Sequence, residues 1–333
     1  MRVIVDAFGG DNAPLEILRG AEMAVKTLGV DITLTGKEET IREVAAQNQI
    51  SLAGMDIIDA PDVMGMDDEP RTILKSKKNS SMAEGMRRLA AGEGDAFVSA
   101  GSTGALIMGA TFIVKRIKGV SRPALAPLIP SDNQPFLLVD CGANADCRPE
   151  MLLQFAQMGY IYMTRVLGRK EPQIGLLNIG TEEGKGTLLQ QEAYQLLKES
   201  DLPFTGNVEA RDVPAGVVDI VVADGFTGNV LLKCIEGTTA TLMRNIKGIF
   251  KSNFFTMLAA LMVKPQIGAF KKKMDVSEHG GAPVIGVTKP VIKAHGNADA
   301  KTICSAIRQA SLFAQAGVIE AITQAVKPVA SEE

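Results

Sequence analysis

Several short stretches of this chain combine Gly, Asp, Asn, Ser and Thr in a way that suits the binding of a small anion. They are Asp6-Ala7-Phe8-Gly9-Gly10-Asp11, Ser99-Ala100-Gly101-Ser102-Thr103-Gly104-Ala105, Asp140-Cys141-Gly142-Ala143-Asn144, the run from Asn178 to Gly186, Asn207-Val208-Glu209-Ala210-Arg211-Asp212, and Asp224-Gly225-Phe226-Thr227-Gly228-Asn229. The second places backbone N–H groups and hydroxyls at the start of a predicted helix, where the dipole favours an anion. Lys185, between Gly184 and Gly186, brings a cation close to a small ligand; a solvated surface lysine is the competing reading. Asn144, Asn178, Asn207 and Asn229 add neutral donors, against ordinary turn and cap duty. One glycine-rich turn is usually only a turn; their recurrence at one predicted sheet edge points to a site.

Other chemistries find little support. The run Gly180–Gly186 resembles a phosphate-binding P-loop, but it is one spacer residue short and has Gly186 where Ser or Thr would hold Mg²⁺. No G-x-G-x-x-G follows a strand, and there is no G-x-S-x-G elbow. The histidines are His279 and His295 alone, which leaves a hydrolase triad little to draw on. Cys141, Cys147, Cys234 and Cys304 lack C-x-x-C or metal-ligand spacing and read as buried reduced thiols. No metal and no cofactor is expected.

The loops must be held by the elements between them. Strand, turn and helix alternate from residue 2 onward, beginning with a strand at 2–7 and a helix capped by Asp11-Asn12-Ala13-Pro14. Further strands are expected near 31–36, 55–60, 95–100, 173–180, 204–209 and 218–224. A hairpin pair is expected at 123–129 and 136–140, and one or two short strands at 284–294. A long amphipathic helix is expected over 299–326. Such alternation predicts an α/β fold with a mostly parallel sheet covered on both faces. Ligands in such sheets sit beyond the carboxyl ends of the strands, where these loops fall.

The net charge is -3, with 35 basic and 38 acidic residues. That balance gives no global attraction to nucleic acid, so none is expected as a partner. The start of the chain reads as a strand rather than a leader, and no apolar run approaches the roughly 20 residues of a spanning helix.

Together the loops resemble the phosphate acyltransferase family known as PlsX. The family's D-A-M-G-G-D opening appears as Asp6–Asp11 with Phe8 for Met, and its S-A-G-N-T-G-A loop as Ser99–Ala105 with Ser102 for Asn. D-x-G-A-N is Asp140–Asn144, L-L-N-I-G-x-E-x-x-K-G is Leu176–Gly186, N-V-E-x-R-D is Asn207–Asp212, D-G-F-x-G-N-V is Asp224–Val230 and G-G-A-P-x-x-G-V is Gly280–Val287. The match runs in order from residue 1 to about 326.

The resemblance implies a three-layer α/β/α fold like that of isocitrate/isopropylmalate dehydrogenases and phosphotransacetylases, with a large mixed sheet. Residues 1–326 would form a single unit of two intertwined subdomains with a protruding helical hairpin at about 229–274, leaving a loose tail at 327–333. It implies transfer of a long-chain fatty acyl group from acyl carrier protein to inorganic phosphate. The acyl phosphate would feed a membrane glycerol-3-phosphate acyltransferase in phospholipid synthesis. It also implies a homodimer, cytoplasmic and peripherally associated with the membrane. The alternative is a short-chain phosphate acetyl- or butyryltransferase using acyl-CoA.

Under that reading phosphate attacks the thioester directly. Gly101, Ser102, Thr103 and Gly104 hold phosphate with help from Lys185, and Asn229 or Asn144 serves the carbonyl oxyanion. Asp6, Asp11, Asp140 and Asp224 orient neighbouring groups or receive a proton. Arg71, Lys75, Lys77 and Lys78 form a basic cluster suited to docking the acidic carrier. Phe254, Phe255, Leu258, Leu261 and Met262 lie in an apolar stretch flanked by lysines, which dips into a membrane interface or packs in a dimer.

Overall fold

Short runs of Val, Ile and Leu between polar turns build the strands, and the structure, a computed structural model, describes residues 1–273 and 280–326. The expected tail at 327–333, the last residue of the expected hairpin and His279 lie outside the described residues. The first part of the chain forms β1 (Arg2–Asp6), α1 (Leu15–Leu28), β2 (Asp31–Gly36), α2 (Glu38–Gln47), β3 (Met55–Asp59), α3 (Ser81–Ala90), β4 (Ala96–Ser99) and α4 (Thr103–Gly109). The middle forms β5 (Ala124–Leu125), β6 (Leu128–Ile129), β7 (Phe136–Val139), α5 (Pro149–Leu167), β8 (Ile174–Asn178), α6 (Leu188–Lys198), β9 (Phe204–Glu209) and β10 (Ile220–Val222). Then come α7 (Gly225–Phe250), α8 (Phe254–Lys273), β11 (Ala282–Ile285), β12 (Val291–Lys293), α9 (Ala300–Gln315) and α10 (Val318–Ala325).

The strands form a seven-stranded sheet, β3-β2-β1-β4-β12-β11-β5, and a five-stranded one, β6-β7-β10-β8-β9. Both are mainly parallel; β11 runs against β12 and β5, and β6 against β7. Strand β5 ends one sheet and β6 begins the other, with Ala126 and Pro127 between them. The Ala126 amide donates to Pro283 at 3.0 Å, and the Leu138 amide to Pro127 at 3.0 Å. The two sheets adjoin through this segment, where the Cys141 amide after β7 also donates to the Leu125 carbonyl of β5 at 2.9 Å.

Alternation along the strands gives the three layers. Val3 and Val5 face one core, with Ile17 and Leu18 of α1 and Ile303 and Ile307 of α9, while Ile4 faces another, with Met82 and Met86 of α3 and Leu106 of α4. The first core continues under the second sheet through Leu137, Ile174 and Ile220, covered by Phe155 and Tyr162 of α5. Each such large side chain contributes about 1.5–3 kcal/mol on burial. Tyr162 meets Phe313 edge-on at 5.4 Å and accepts from Gln309 Nε2 at 3.1 Å, tying α5 to α9.

Three local expectations are corrected. The helix over 299–326 is two helices, because Gly317 adopts a left-handed φ of 64° between α9 and α10. Asp11 and Asn12 do not cap α1; Pro14 stands at its N-cap, and the Asn12 amide instead reaches the Asn297 carbonyl at 3.0 Å. The helix begun by α4 widens to π geometry over Ala110–Lys115, which the apolar spacing does not signal. Helices α7 and α8 follow one another, and no described side chain of α8 is buried.

Candidate active site

In the first sheet, β1, β4 and β12 run parallel, so Asp6, Ser99 and Lys293 all stand at carboxyl ends on the same edge. Ser99 Oγ donates to Asp6 Oδ2 at 2.6 Å and accepts the Gly101 amide at 3.0 Å. A Cβ on Gly9 would come within 2.6 Å of Asp6 Oδ2, 2.7 Å of the Gly101 nitrogen and 2.7 Å of Ser99 Oγ, so only glycine lets the two loops meet. Burial pushes the Asp6 carboxyl up, against hydrogen bonds from Ser81, Ser99 and the Phe8 amide and the charge of Lys293.

The Gly101 amide is thus engaged inside the turn. The helix begins one step later, where Leu106 N–H donates to the Ser102 carbonyl at 2.9 Å. The amides just before Leu106 have no intrahelical acceptor, and the Ser102 side chain does not cap them. Donors from Ser102 to Gly104 are therefore open to a ligand.

Sequence reasoning missed Lys293. It pairs in register with Ser99 and is only 9% exposed. Its Nζ donates to the Ala100 carbonyl at 3.2 Å and to that of Ala294. Burial, seconded by the charge of Lys233, pushes the ammonium down to about 8, against Asp11 and Asp6. The signal was a charged residue inside the apolar strand Val291–Lys293, which a buried strand rarely carries.

In the second sheet β7, β10 and β8 present Asp140, Asp224 and Asn178 at their carboxyl ends. Asp140 is fully buried. It accepts the amides of Leu125 at 2.8 Å, Cys141 at 2.6 Å, Ala143 at 3.2 Å and Asn144 at 2.7 Å. Burial still outweighs these bonds and pushes its carboxyl up. Asn144 Nδ2 donates to Pro123 at 2.8 Å and to Asp140 at 3.0 Å, so both its N–H groups are engaged. Asp224 caps α7, accepting the Thr227 amide at 2.9 Å and hydroxyl at 2.7 Å. The Asn229 side chain is exposed and makes no hydrogen bond to the protein among the described residues; it borders Gly142.

Lys185 is half exposed, and its Nζ lies 3.9 Å from Glu182 Oε1. Its loop is pinned from below. Asn178 Nδ2 donates to the Lys185 carbonyl at 3.0 Å, and Asn207 Nδ2 to that of Glu182 at 2.8 Å. Asn178 and Asn207 thus hold the loop, which is the turn duty weighed against ligand binding for each asparagine.

Helix α7 crosses between the two groups. Asn229, Lys233 and Glu236, spaced four and three apart, share one face. Lys233 Nζ lies 2.8 Å from Glu236 Oε2, and Glu236 Oε1 lies 4.0 Å from His295 Nε2. Asn229 at the start of that face meets the Gly142 turn, while Glu236 at its end meets the segment after β12. No contact links Lys185 directly to the turn at Ser102 among the described residues. Burial pushes the Cys147 thiol up to about 12, and burial with the Asp140 charge pushes Cys141 still higher, so neither offers a thiolate near neutral pH.

The remaining predicted residues lie apart. Arg71 falls in the 3₁₀ turn Pro70–Leu74, and Arg71, Lys75 and Lys78 are exposed. Lys77 is tied inward, donating to the Val63 carbonyl at 3.1 Å with Asp68 at 3.8 Å. Phe254, Phe255, Leu258, Leu261 and Met262 are all exposed on α8. No described helix is long and apolar enough to cross a membrane.

A family model described as "Fatty acid synthesis protein" matches residues 1–321. Proteins named phosphate acyltransferase align along the whole chain. That of Clostridium novyi is 44% identical over 97% of each chain, and that of Bacillus pumilus is 45% identical over 100% of each. Among solved structures, a phosphotransacetylase from Streptococcus pyogenes superposes with a TM-score of 0.63 over 94% of each chain at 16% identity. A branched-chain phosphotransacylase from Enterococcus faecalis gives 0.57, covering 95% of this chain and 100% of that one at 15% identity. These two share the three-layer α/β/α fold. The identity to the curated proteins, sustained from one end to the other, means that this chain belongs to the phosphate acyltransferase (PlsX) family.

Proposed function

We propose that the protein transfers a long-chain fatty acyl group from acyl-acyl carrier protein to inorganic phosphate, with no covalent acyl-enzyme. The observation that carries this reading is an anion cradle without an enzyme nucleophile. The open amides and hydroxyls of Ser102, Thr103 and Gly104 follow Ala100, whose carbonyl accepts from the buried Lys293 ammonium, while the thiols of Cys141 and Cys147 are held protonated. Phosphate is already an oxyanion near neutral pH. One of its oxygens attacks the thioester carbon, the new C–O bond forms as the C–S bond breaks, and the carrier's thiolate leaves and takes up a proton. Oriented binding of both partners and stabilisation of the carbonyl oxyanion supply the acceleration. Asn229 serves that oxyanion, since its amide is unoccupied whereas both Asn144 donors are taken. Asp224 presents Asn229 by starting α7. Lys185, on its pinned loop, supplies a second cation for the phosphate.

Arg71, Lys75 and Lys78 attract the acidic carrier, and the apolar side chains of α8 make peripheral contact with the membrane. There the product reaches a glycerol-3-phosphate acyltransferase for phospholipid synthesis. The working protein is a cytoplasmic homodimer.

The test is incubation with acyl-acyl carrier protein and labelled phosphate. The expected product is a labelled, hydroxylamine-sensitive acyl phosphate. Acyl chain trapped covalently on a protein side chain during turnover would overturn the direct attack. Comparing palmitoyl-carrier with acetyl-CoA separates this reading from a short-chain phosphotransacetylase, for which acetyl-CoA would be the better donor.

A further inference from the structure

We propose that Lys293 is a positioning residue for phosphate, one that fixes the Ser99–Ala105 turn through the Ala100 carbonyl and sets a buried positive charge beside it. The inference rests on the reading of that turn as the phosphate cradle. Its support lies in how the lysine is buried. An ammonium taken out of water normally neutralises a carboxylate. Lys293, 9% exposed, instead donates to the carbonyls of Ala100 and Ala294, and no carboxylate oxygen lies within 4.0 Å of it among the described residues. The ammonium has three donors and two are engaged. Asp6, at the end of β1, is already occupied by Ser99 and the Phe8 amide.

Such a charge lacks a close counterion until an anion arrives. Its register opposite Ser99 puts it at the first residue of the turn, three residues before Ser102, where the open amides begin. Lys185 offers no equivalent, because it is half exposed and near Glu182. The charged groups that act on Lys293 are Asp6 from β1, Asp11 from the loop after it, and Lys233 from α7. His295, two residues on, faces Glu236 instead. Burial and Lys233 lower the ammonium to about 8, so the charge fades in alkaline solution, while a phosphate dianion beside it favours the protonated form.

The experiment measures KM for inorganic phosphate and for acyl-acyl carrier protein separately, from pH 7 upward, in wild type, Lys293→Met and Lys293→Arg. Lys293→Met should raise the phosphate KM roughly ten- to hundredfold, the range for a hydrogen bond to a charged group, and leave the donor KM within about twofold. Lys293→Arg should recover most of that loss, because guanidinium stays charged. In wild type the phosphate KM should climb as pH passes about 8; in the arginine variant that rise should disappear. A folded Lys293→Met with an unchanged phosphate KM, or with both KM values raised alike, would overturn the proposal. So would a wild-type phosphate KM that is flat across pH 8, a result available even if Lys293→Met fails to fold. If wild type forms no acyl phosphate, the proposed reaction fails first. Calorimetric titration of wild type and Lys293→Arg with inorganic phosphate across pH 8 then decides about Lys293 alone: wild-type affinity that falls while arginine-variant affinity holds supports it, and no phosphate binding or parallel curves refute it.

Discussion

Ser99 Oγ donates to Asp6 Oδ2 at 2.6 Å while accepting the Gly101 amide at 3.0 Å, so one hydroxyl links β1 to the turn after β4. Ser99→Ala removes both bonds and leaves a buried carboxylate short of a donor. The expected cost is about 1–3 kcal/mol of stability, read from urea denaturation. Phosphate KM should rise with it, because the Gly101 amide no longer fixes the shape of the turn. A variant as stable as wild type would show that another donor replaces the hydroxyl.

The start of α7 packs unusually close to the strand beneath it. A Cβ at Gly228 would sit 2.0 Å from the Asp140 carbonyl oxygen, in backbone that cannot give way without disturbing the buried Asp140 network. Gly-to-Ala gains about 1 kcal/mol of helix propensity, but overpacking of this kind costs typically 1–3 kcal/mol or more. The clash should win, and Gly228→Ala should lower the melting temperature and the yield of folded protein. Gly237→Ala on the same helix meets nothing within 4 Å and should be neutral or stabilising in the same measurement.

Burying Lys293 costs stability when it is charged. The folded lysine titrates near 8 and the unfolded one near 10.5. Between these values the unfolded chain holds more protons, so stability rises with pH there. The burden is fully present below about 8, amounts to about 3 kcal/mol, and is relieved as pH approaches 10.5. Lys293→Met should therefore lose ground against wild type over that window in paired denaturation curves. A constant difference would mean that the ammonium is well solvated.

The sequence exposed the strand-end loops because their Gly, Asp and Asn residues do two visible jobs, turning the chain and offering donors. Ser99-Ala100-Gly101 and Asp140-Cys141-Gly142 both lie at the carboxyl ends of parallel strands, as the alternation requires. Lys293 stayed hidden because its significance depends on register: β12 is inserted beside β4 from nearly two hundred residues away, which no local pattern announces. The engagement of Asn144 was equally invisible, since its partner Pro123 precedes it by 21 residues and belongs to another segment. The break at Gly317 was legible in principle, since glycine past the last apolar turn is a helix-stop signal, but amphipathic spacing continues through it.

Lys185 tests the contribution of the loop after β8. Its side chain is half in solvent and its charge lies 3.9 Å from an exposed glutamate, a pair worth well under about 1 kcal/mol. Lys185→Ala should therefore keep the wild-type denaturation midpoint. Acyl phosphate formation, followed by hydroxylamine trapping, should nonetheless fall by about two orders of magnitude, the range for removing one charge-stabilising donor. Activity at the wild-type level would take Lys185 out of the mechanism.

Helix α8 carries Phe254, Phe255, Leu258, Leu261 and Met262 outside the core, with Phe255 80% exposed and Leu258 52% exposed. Removing such side chains from water gives roughly 1.5–3 kcal/mol each when burial is complete. Two or three half-buried in a bilayer interface would give weak, reversible attachment. A dimer contact would use the same groups, so the outcome must be read with the oligomeric state in hand. Leu258→Glu places a charge on that face at a side chain already 52% exposed, so the fold should survive. In flotation with anionic vesicles, wild type should rise with the lipid, and Leu258→Glu should remain largely in the dense fraction while eluting at the wild-type size. If the variant floats as well as wild type, the face does not enter the membrane. If it elutes as a smaller species, the apolar side chains of α8 belong to the contact between copies.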